Sequence, residues 1–202
     1  AGRTEEPIDP VRLITNRSSG KMGFALARQA SLLGAAVTLV CGPNDLVTPF
    51  GVQRIDITTA DEMLEACSSY FSEADLFIAA AAVEDLKPVA VSEQKIKKEQ
   101  SMVIECEAAV DILNTLSQQK TDQYIVGFSV ETENMLENSR NKLRRKALNA
   151  IVMNNPNESG AGFQHDTNKA TLIFSEGEPV EFPLLSKEEL AARLLNTIYE
   201  KL

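Results

Sequence analysis

The sequence predicts an α/β protein with a Rossmann-like fold, in which helices cover both faces of a doubly wound, mostly parallel sheet. Five runs of apolar and β-branched residues have the length of buried strands; they are residues 36–40, 54–57, 76–82, 124–128 and 150–153. Patterns typical of amphipathic helices separate most of these runs. Because strands that are apolar throughout are covered on both faces, their alternation with helices indicates a parallel sheet.

Each helix is predicted from apolar residues that recur at a spacing of three or four positions. The first helix follows a polar loop, where Ser18 or Ser19 can cap the free amides at its start, and it stops at Gly34. The other helices are expected at residues 60–71, 110–118, 133–148 and 187–199.

The chain changes character after Asn154. A polar loop is followed by two short apolar runs, 170–174 and 180–182, which are expected to form a hairpin. The connecting structure is longer than one sheet needs, so we expect residues 155–182 to form a β excursion that is used for dimerisation.

The whole chain, residues 1–202, is expected to form one domain. It opens with a glycine-containing loop at residues 1–4 that no strand precedes. Because such a loop normally follows a strand in an open α/β sheet, the first strand is expected to be missing.

The composition argues against several classes of protein. A net charge of −9 argues against binding to a nucleic acid, because affinity for a phosphate backbone comes from clustered lysines and arginines. The sequence shows no long apolar run and no signal peptide, so we expect a cytoplasmic protein that does not bind a membrane. The three cysteines lack CxxC spacing, which argues against a disulfide framework and a structural zinc site. The one histidine, His165, is expected to be a solvated loop residue rather than a general base.

The loop at residues 14–20 is the most informative segment, because it leads into a helix whose first amides can hold an anion. Gly20 and Gly23 allow a ligand to approach the backbone, and the helix dipole favours a phosphate or a carboxylate there. The segment is neither a Walker A loop nor a GxGxxG loop, which argues against a conventional P-loop ATPase and a standard Rossmann dehydrogenase. An ordinary capped helix has the same residues, so this loop alone leaves both interpretations open.

Two groups of lysines stand out in this acidic chain. Lys95, Lys97 and Lys98 are typical either of a loop that closes over a polyphosphate or, more commonly, of a solvated basic loop. Lys142 and Lys146 are four residues apart and face the same way on a predicted helix. They suggest an anionic partner, although basic residues near the end of a helix also favour its dipole.

Three further features fall at the ends of predicted strands. Small side chains at residues 79–82 let a ligand lie against the backbone, although tight core packing is the commoner reason for such a run. Asp85 can orient a cation or a sugar hydroxyl, or it can cap a turn. Phe128 can flank a base, and core packing is at least as common for such an aromatic residue.

In combination and order, these segments resemble one family, the bacterial phosphopantothenoylcysteine synthetases, which form the C-terminal half of a bifunctional coenzyme A biosynthesis flavoprotein. The resemblance covers nearly the whole chain and rests on residues 6–12, 14–23, 80–85, 95–98 and 126–132. The flavin-binding decarboxylase half is not in this sequence. The resemblance therefore implies fusion to, or association with, a phosphopantothenoylcysteine decarboxylase domain, and no flavin chemistry in this chain.

The resemblance implies a ligase that joins 4'-phosphopantothenate to L-cysteine, with CTP as co-substrate and Mg²⁺ as cofactor. The carboxylate would attack the α-phosphate of CTP to give an acyl-cytidylate and pyrophosphate, and the amine of cysteine would then displace CMP. A homodimer with active sites near the subunit interface is also implied.

The resemblance also implies the roles of individual residues. Asn16 corresponds to the asparagine that contacts phosphopantothenate and the acyl-cytidylate, and Lys95 to the lysine that engages the nucleotide phosphates; these are the expected catalytic residues. Asp85 is the expected metal ligand. The expected CTP-binding residues are Ala79, Ala80, Ala81, Asp85, Lys95, Val110, Asp111, Ile112, Leu113, Phe128, Lys142 and Lys146.

Three places depart from the family pattern: Arg3 replaces a glycine, Leu86 replaces a tyrosine, and residues 109–111 read Ala-Val-Asp instead of Asn-Pro-Asp. Two alternative functions are also considered. A reductase that uses NAD(P) with an atypical Rossmann loop would need an acidic residue at the end of the second strand, and residues 40–43 contain none. A non-catalytic nucleotide-binding module would keep the CTP contacts and lose Asn16, which is present.

Overall fold

The computed structural model describes residues 1–97, 101–130, 133–154, 160, 162 and 165–202. In these residues the strands are β1 (Glu5–Pro7), β2 (Leu13–Thr15), β3 (Val37–Cys41), β4 (Val52–Asp56), β5 (Leu76–Ala79), β6 (Leu86–Pro88), β7 (Cys106–Ala108), β8 (Tyr124–Val130), β9 (Ala150–Asn154), β10 (Thr167–Phe174) and β11 (Val180–Ser186). The helices are α1 (Lys21–Leu32), α2 (Ala60–Phe71), α3 (Ile112–Ser117), α4 (Met135–Arg145) and α5 (Lys187–Tyr199). Within the described ranges, none of the helices has the length and apolar character needed to span a membrane.

The largest sheet has five strands in the order β11-β10-β9-β8-β5. β5, β8 and β9 run parallel, whereas β10 lies antiparallel to both β9 and β11. A separate parallel pair consists of β3 and β4. The predicted α/β class with a mostly parallel central sheet is confirmed. Four of the five predicted parallel strands lie within two residues of the observed bounds, and the fifth, β5, ends at Ala79 rather than at residue 82.

Residues 1–4 lie between the β3-β4 pair and the β5 side of the central sheet, and they connect the two through backbone hydrogen bonds. On one side the N-terminal ammonium donates to Val40 O at 2.6 Å, and Gly42 N donates to the carbonyl of the first residue at 3.0 Å. On the other side Arg3 and Ala82 form a parallel bridge. Gly42 has to be a glycine, because a Cβ there would lie 1.6 Å from the carbonyl oxygen of Arg3. The expectation of a further strand before this segment stays a prediction.

Two short antiparallel hairpins, β1-β2 and β6-β7, were not expected from the sequence. Each of their strands has three residues, which is too few to show an alternating pattern. Long-range hydrogen bonds hold them instead: Thr15 Oγ1 donates to Thr4 O at 2.8 Å, and Glu84 N donates to Thr4 Oγ1 at 2.9 Å. Contacts between β1 and β6 bring the two hairpins together.

The C-terminal excursion contributes two strands to the central sheet. β10 pairs with both β9 and β11, and Leu172, Ile173 and Phe182 on these strands are buried. The predicted hairpin at residues 170–174 and 180–182 is confirmed. Residues 155–159 lie outside the described residues, and the role of the excursion in dimerisation stays a prediction.

Helix α5 covers one face of this sheet. Leu190, Leu194 and Ile198 recur every four residues, are buried, and pack in one apolar cluster with β10 and β11. Ser186 caps the helix, since its Oγ accepts a hydrogen bond from Glu189 N at 3.1 Å. α5 also packs against α1, which positions the first turn of α1 beside β5 and β8.

Candidate functional site

The candidate site lies where β5 and β8 end beside the start of α1. The pairing of β5 with β8 places Ala79 opposite Gly127. Ala80 and Phe128, which follow these two residues, pack in the same apolar cluster as Met22 in the first turn of α1. In open α/β sheets, ligands bind at the carboxyl ends of parallel strands. The expected site residues of β5 and β8 therefore meet at an edge where a ligand can bind.

Asn16 follows β2 and is held at both ends of its side-chain amide. Its Nδ2 donates to Ala82 O at 2.5 Å, and its Oδ1 accepts from Ser18 N at 2.9 Å. The Asn16 side chain also forms a hydrogen bond with the carboxylate of Glu84. These contacts fix Asn16 against the loop that follows β5, next to the run of small residues.

Glu84 belongs to this site, although no pattern in the sequence singles it out. Burial raises the pKa of the Glu84 carboxyl, the hydrogen bond from Asn16 lowers it, and the nearby charges of Asp85 and Glu6 raise it; the net shift is upward. A carboxylate next to the candidate catalytic asparagine is therefore destabilised by its surroundings. The one sequence signal that could have found it is its place directly before Asp85.

Asp85 is exposed, and its carbonyl accepts a hydrogen bond from Ala109 N at 2.9 Å. In the part of the chain that the structure describes, no group of three or more His, Cys, Asp or Glu residues could hold a metal ion. Mg²⁺ is usually held by one or two carboxylates together with phosphate oxygens of a substrate. An exposed Asp85 fits that kind of donor set, and the metal role of Asp85 stays a prediction.

The start of α1 differs from the sequence-based expectation. Gly20 is the N-cap residue with φ 77°, and no side chain caps the helix, so the expected cap by Ser18 or Ser19 is wrong. A left-handed φ favours glycine, which explains why this position forms the turn. Because no side chain caps this end, the amides of the first turn keep their capacity to bind an anion.

Two of the departures from the family pattern lie at the edges of the site. Arg3 donates from Nε to Glu5 at 3.1 Å and from Nη1 to Ser18 O at 3.4 Å, so its guanidinium contacts the loop before α1. Leu86, in β6, is exposed. Neither residue disturbs the contacts of Asn16.

A cavity of about 440 Å³ lies beside the β1-β2 hairpin, and it is lined by Arg12, Lys95, Ile96 and Lys97. The Lys95 and Lys97 side chains are exposed, and neither makes a hydrogen bond or ion pair with another residue that the structure describes. Arg12 is paired with Asp9, so among these lining residues Lys95 and Lys97 are the two cations that suit an anionic ligand. Lys98, the last lysine of this basic run, lies outside the described residues.

Lys142 lies in the last turn of α4, whereas Lys146 is the C-cap residue that follows the helix, so only Lys142 lies on the helix itself. Both lysines have internal partners. Lys142 Nζ donates to Phe128 O at 2.9 Å, and Lys146 Nζ forms an ion pair with Asp111 at 2.8 Å. Burial by itself would raise the pKa of Asp111, but hydrogen bonds from Lys146 and from Asn114 N outweigh it and lower that pKa. Four expected nucleotide-binding residues are thus gathered beside β8.

The segment 110–113 contacts the core more than the surface. Ile112 and Leu113 are buried in an apolar cluster, which Val110 and Ala81 also contact. The side chains of Ile112 and Leu113 expose little surface to a ligand, so a nucleotide could contact these positions only through backbone atoms. Their role in CTP binding stays a prediction.

Comparisons with known proteins agree with one another. The family model described as the DNA/pantothenate metabolism flavoprotein C-terminal domain matches residues 1–202. The chain is 42% identical over 200 residues to the coenzyme A biosynthesis bifunctional protein CoaBC of Bacillus subtilis, which covers 98% of this chain and 49% of that protein. It is 44% identical over 206 residues to CoaBC of Vibrio cholerae, which covers 100% of this chain and 51% of that protein. The chain therefore spans about half the length of these relatives.

A solved structure agrees with these relatives. The crystal structure of the C-terminal domain of the coenzyme A biosynthesis bifunctional protein CoaBC aligns with a TM-score of 0.84 at 42% identity. The alignment covers 98% of this chain and 90% of that one. The similarity thus extends over the strands, hairpins and loops that form the candidate site.

Proposed function

Because the chain belongs to the family of DNA/pantothenate metabolism flavoprotein C-terminal domains, we propose that it acts in coenzyme A biosynthesis as a phosphopantothenate–cysteine ligase. It joins 4'-phosphopantothenate to L-cysteine and uses CTP to activate the carboxylate. Its relatives are bifunctional proteins of about twice its length, so the product passes to a decarboxylase domain that is fused to this chain or associates with it.

The reaction has two steps. In the first, the carboxylate of phosphopantothenate attacks the α-phosphorus of CTP, a phosphoanhydride bond breaks, and pyrophosphate leaves. In the second, the amine of cysteine attacks the carbonyl carbon of the acyl-cytidylate, CMP leaves, and the nitrogen loses a proton. Activation is needed because a free carboxylate is a poor acyl donor.

The observation that carries this proposal is the position of Asn16 against the loop after β5. One Nδ2 hydrogen is directed at Ala82 O, and the amide also contacts the Glu84 carboxylate. A substrate carboxylate at this position would replace Glu84 as the hydrogen-bond acceptor. Asn16 would then orient that carboxylate for attack on the nucleotide.

The remaining candidate residues supply positive charge for the phosphates. Charge builds up on the leaving pyrophosphate, and preorganised cations stabilise it. Lys95 would act beside the hairpin, while Lys142 and Lys146 would hold the nucleotide beside Phe128. Bound Mg²⁺ would neutralise part of the triphosphate charge, with Asp85 as its protein ligand.

The experiment is to supply the chain with CTP, 4'-phosphopantothenate, L-cysteine and Mg²⁺ and to measure pyrophosphate, CMP and the amide product. Without cysteine, we expect about one turnover of pyrophosphate release per site, because the acyl-cytidylate then accumulates. No pyrophosphate release by folded protein in the full mixture would contradict the proposal. NAD(P)H oxidation without CTP would instead favour a reductase.

We also propose that the active form is a homodimer. Large apolar side chains are exposed on and beside the β6-β7 hairpin, including Leu86 at 51%, Val89 at 52% and Val103 at 94%. Grouped apolar side chains of this kind mark association surfaces, and twofold pairing is the commonest closed assembly.

Mixed dimers test whether a site draws residues from both subunits. Asn16→Asp and Lys95→Gln subunits are mixed so that half of the dimers are heterodimers. If the two residues reach one site from different chains, each heterodimer regains one intact site, and about a quarter of the parent activity returns. No recovery would mean that Asn16 and Lys95 act from the same chain. Full activity from protein that sediments only as a monomer would refute the dimer.

A further inference from the structure

The tip of the β1-β2 hairpin contains a carboxylate that the proposed reaction does not use. The Asp9 side chain exposes 0% of its surface. Its Oδ1 accepts hydrogen bonds from Val11 N and Arg12 N, both at 2.8 Å. These two bonds form a local turn of the kind that aspartate commonly stabilises. One carboxylate oxygen is therefore sufficient to form the hairpin tip.

The second oxygen of Asp9 contacts a distant part of the chain. Oδ2 accepts from Arg12 Nη1 at 2.6 Å and from Ile96 N at 3.1 Å. Arg12 Nη1 also donates to Ile96 O at 3.1 Å. The pair of side chains therefore binds both the N–H and the carbonyl of Ile96. Ser92 N adds a hydrogen bond to Ile8 O at 3.0 Å, which ties the start of the same segment to the hairpin.

Without these contacts, little would fix the position of residues 92–97. The segment forms neither a helix nor a strand, so its backbone would otherwise sample many conformations. Lys95 directly precedes Ile96, and the fixed peptide between them determines where the lysine side chain begins. The Lys95 ammonium itself contacts no acceptor among the described residues, so it remains accessible to a ligand.

We propose that Asp9 is a positioning residue: together with Arg12 it forms a clamp that fixes Ile96 and thereby holds Lys95 at the nucleotide phosphates during acyl-cytidylate formation. This inference rests on the proposed function, because the role of Lys95 does. Stabilisation of a developing charge depends on a cation that is already in place, and a displacement of about 1 Å can lower a rate on the order of a hundredfold.

The clamp depends on an ionised Asp9. Burial by itself would raise the pKa of Asp9, but the amides of Val11, Ile96 and Arg12 and the Arg12 guanidinium donate to the carboxylate and lower its pKa to about 2. Asp9→Asn keeps the shape of the side chain and removes its charge. The substitution also replaces one acceptor oxygen by an NH₂ group, which cannot accept the hydrogen bonds that Asp9 receives there. Ile96 should therefore be released, and no cavity is left because the side chain keeps its size.

The first test needs no substrate. In Asp9→Asn, deuterium exchange at the Ile96 amide and tryptic cleavage after Lys95 should both rise by about tenfold or more, at a temperature where circular dichroism shows the variant folded. Asp61→Asn is the matched control, because Asp61 also pairs with a cation, Lys87 at 2.8 Å, but on the exposed surface. It should change neither rate. Unchanged exchange and cleavage in Asp9→Asn would overturn the clamp.

The second test asks whether Asp9 acts through Lys95. Asp9→Asn should lower the single-turnover rate of acyl-cytidylate formation by roughly tenfold to a hundredfold, with a smaller change in KM for CTP. Lys95→Gln already removes the charge that the clamp positions. Adding Asp9→Asn to that variant should therefore lower the rate by less than about a further twofold. The full additional loss in the double variant would overturn the proposal.

Arg12→Gln takes the place of Asp9→Asn if the latter does not fold, because it keeps the turn formed by Asp9 Oδ1 and removes the guanidinium donors. The two proposals fail in distinguishable ways. A parent protein without ligase activity refutes the proposed function, and faster exchange at Ile96 in the variant then still supports the clamp. An active parent with unchanged exchange in the variant refutes the clamp alone.

Discussion

The two sides of the candidate site hold their lysines in opposite ways. On the side of the β1-β2 hairpin, which includes Asn16, the backbone next to Lys95 is fixed at Ile96 and the lysine side chain is exposed. On the side of α4, the ammonium groups of Lys142 and Lys146 are themselves bound by acceptors of the protein. We refer to these as the hairpin side and the helix side.

The difference indicates which step each side serves. An ammonium group that no internal acceptor holds can respond fully to charge that develops on a substrate, so the hairpin side suits the chemical step. Lys146 has to exchange Asp111 for a phosphate, and the Asp111 side chain is 49% exposed, so its carboxylate can turn towards solvent when a phosphate binds. The helix side therefore suits ground-state binding of the nucleotide. Substitutions should lower kcat on the hairpin side and raise KM on the helix side.

The largest effect is expected at Asn16. Asn16→Asp should leave folding intact and abolish product formation, because a carboxylate there would repel both the substrate carboxylate and the acyl phosphate. Thermal melting checks the fold, and amide formation checks the activity. Asn196→Asp makes the same change at an exposed position of α5 and should be fully active. Turnover within a few-fold of the parent would mean that Asn16 does not contact the substrate.

A smaller loss is expected at Lys95. Lys95→Gln should lower the single-turnover rate of acyl-cytidylate formation by on the order of a hundredfold, as expected when one preorganised charge partner is lost. KM for CTP should change much less, because the lysine acts on charge that develops in the transition state. Lys97→Gln, two residues further along the same segment, shows whether the loss of any positive charge from this segment lowers the rate. An unchanged rate in Lys95→Gln would reassign this segment to a solvated surface loop.

The parts of this fold that the sequence predicts well carry their own local signals. α2 and α5 begin and end at the predicted residues. Thr59 and Glu62 form a capping box at the start of α2, and Ser186 caps α5. Most of the parallel strands were recognisable because they are largely apolar, whereas β4 carries Gln53, Arg54 and Asp56 and is the least apolar of them. The start of α1 was mispredicted because the turn depends on the left-handed backbone of Gly20 rather than on a nearby hydroxyl.

The parts that the sequence does not predict depend on distant partners. β1, β2, β6 and β7 are too short to show a pattern, and Thr4 connects them through hydrogen bonds. Asp9 contacts a residue 87 positions away, and Glu84 contacts Asn16 across a similar separation. A buried carboxylate and an exposed one look the same in a sequence. The resemblance to a family therefore assigns roles to Asn16 and Lys95. It assigns none to Asp9, which fixes the backbone next to Lys95, or to Glu84, which contacts Asn16.

A still smaller effect is expected on the helix side. Lys146→Met should raise KM for CTP by roughly tenfold and leave kcat nearly unchanged, because this lysine binds the nucleotide equally in the ground state and the transition state. Steady-state kinetics with varied CTP measure both constants. Arg145→Met is the matched control, since it removes an exposed cation from the neighbouring position of α4. A fall in kcat at unchanged KM would mean that both sides serve the chemical step.

The smallest effect is expected at Glu84, a carboxylate on the hairpin side that repels the carboxylate of the substrate. The pKa of Glu84 is raised, chiefly by burial, so its ionised form is less stable in the folded chain than in the unfolded chain. This penalty is present above the folded pKa and disappears as the pH falls below the unfolded value of about 4.5. Glu84→Gln should therefore raise the melting temperature at neutral pH, and the gain should shrink as the pH is lowered through that range.

Glu84→Gln should also lower KM for phosphopantothenate by roughly two- to fivefold, because a neutral amide does not repel the carboxylate that Asn16 is to bind. Glu73→Gln, at an exposed position, should change neither quantity. A higher KM in Glu84→Gln would mean that Glu84 assists substrate binding, and the hairpin side would then be built for binding as well as for the chemical step.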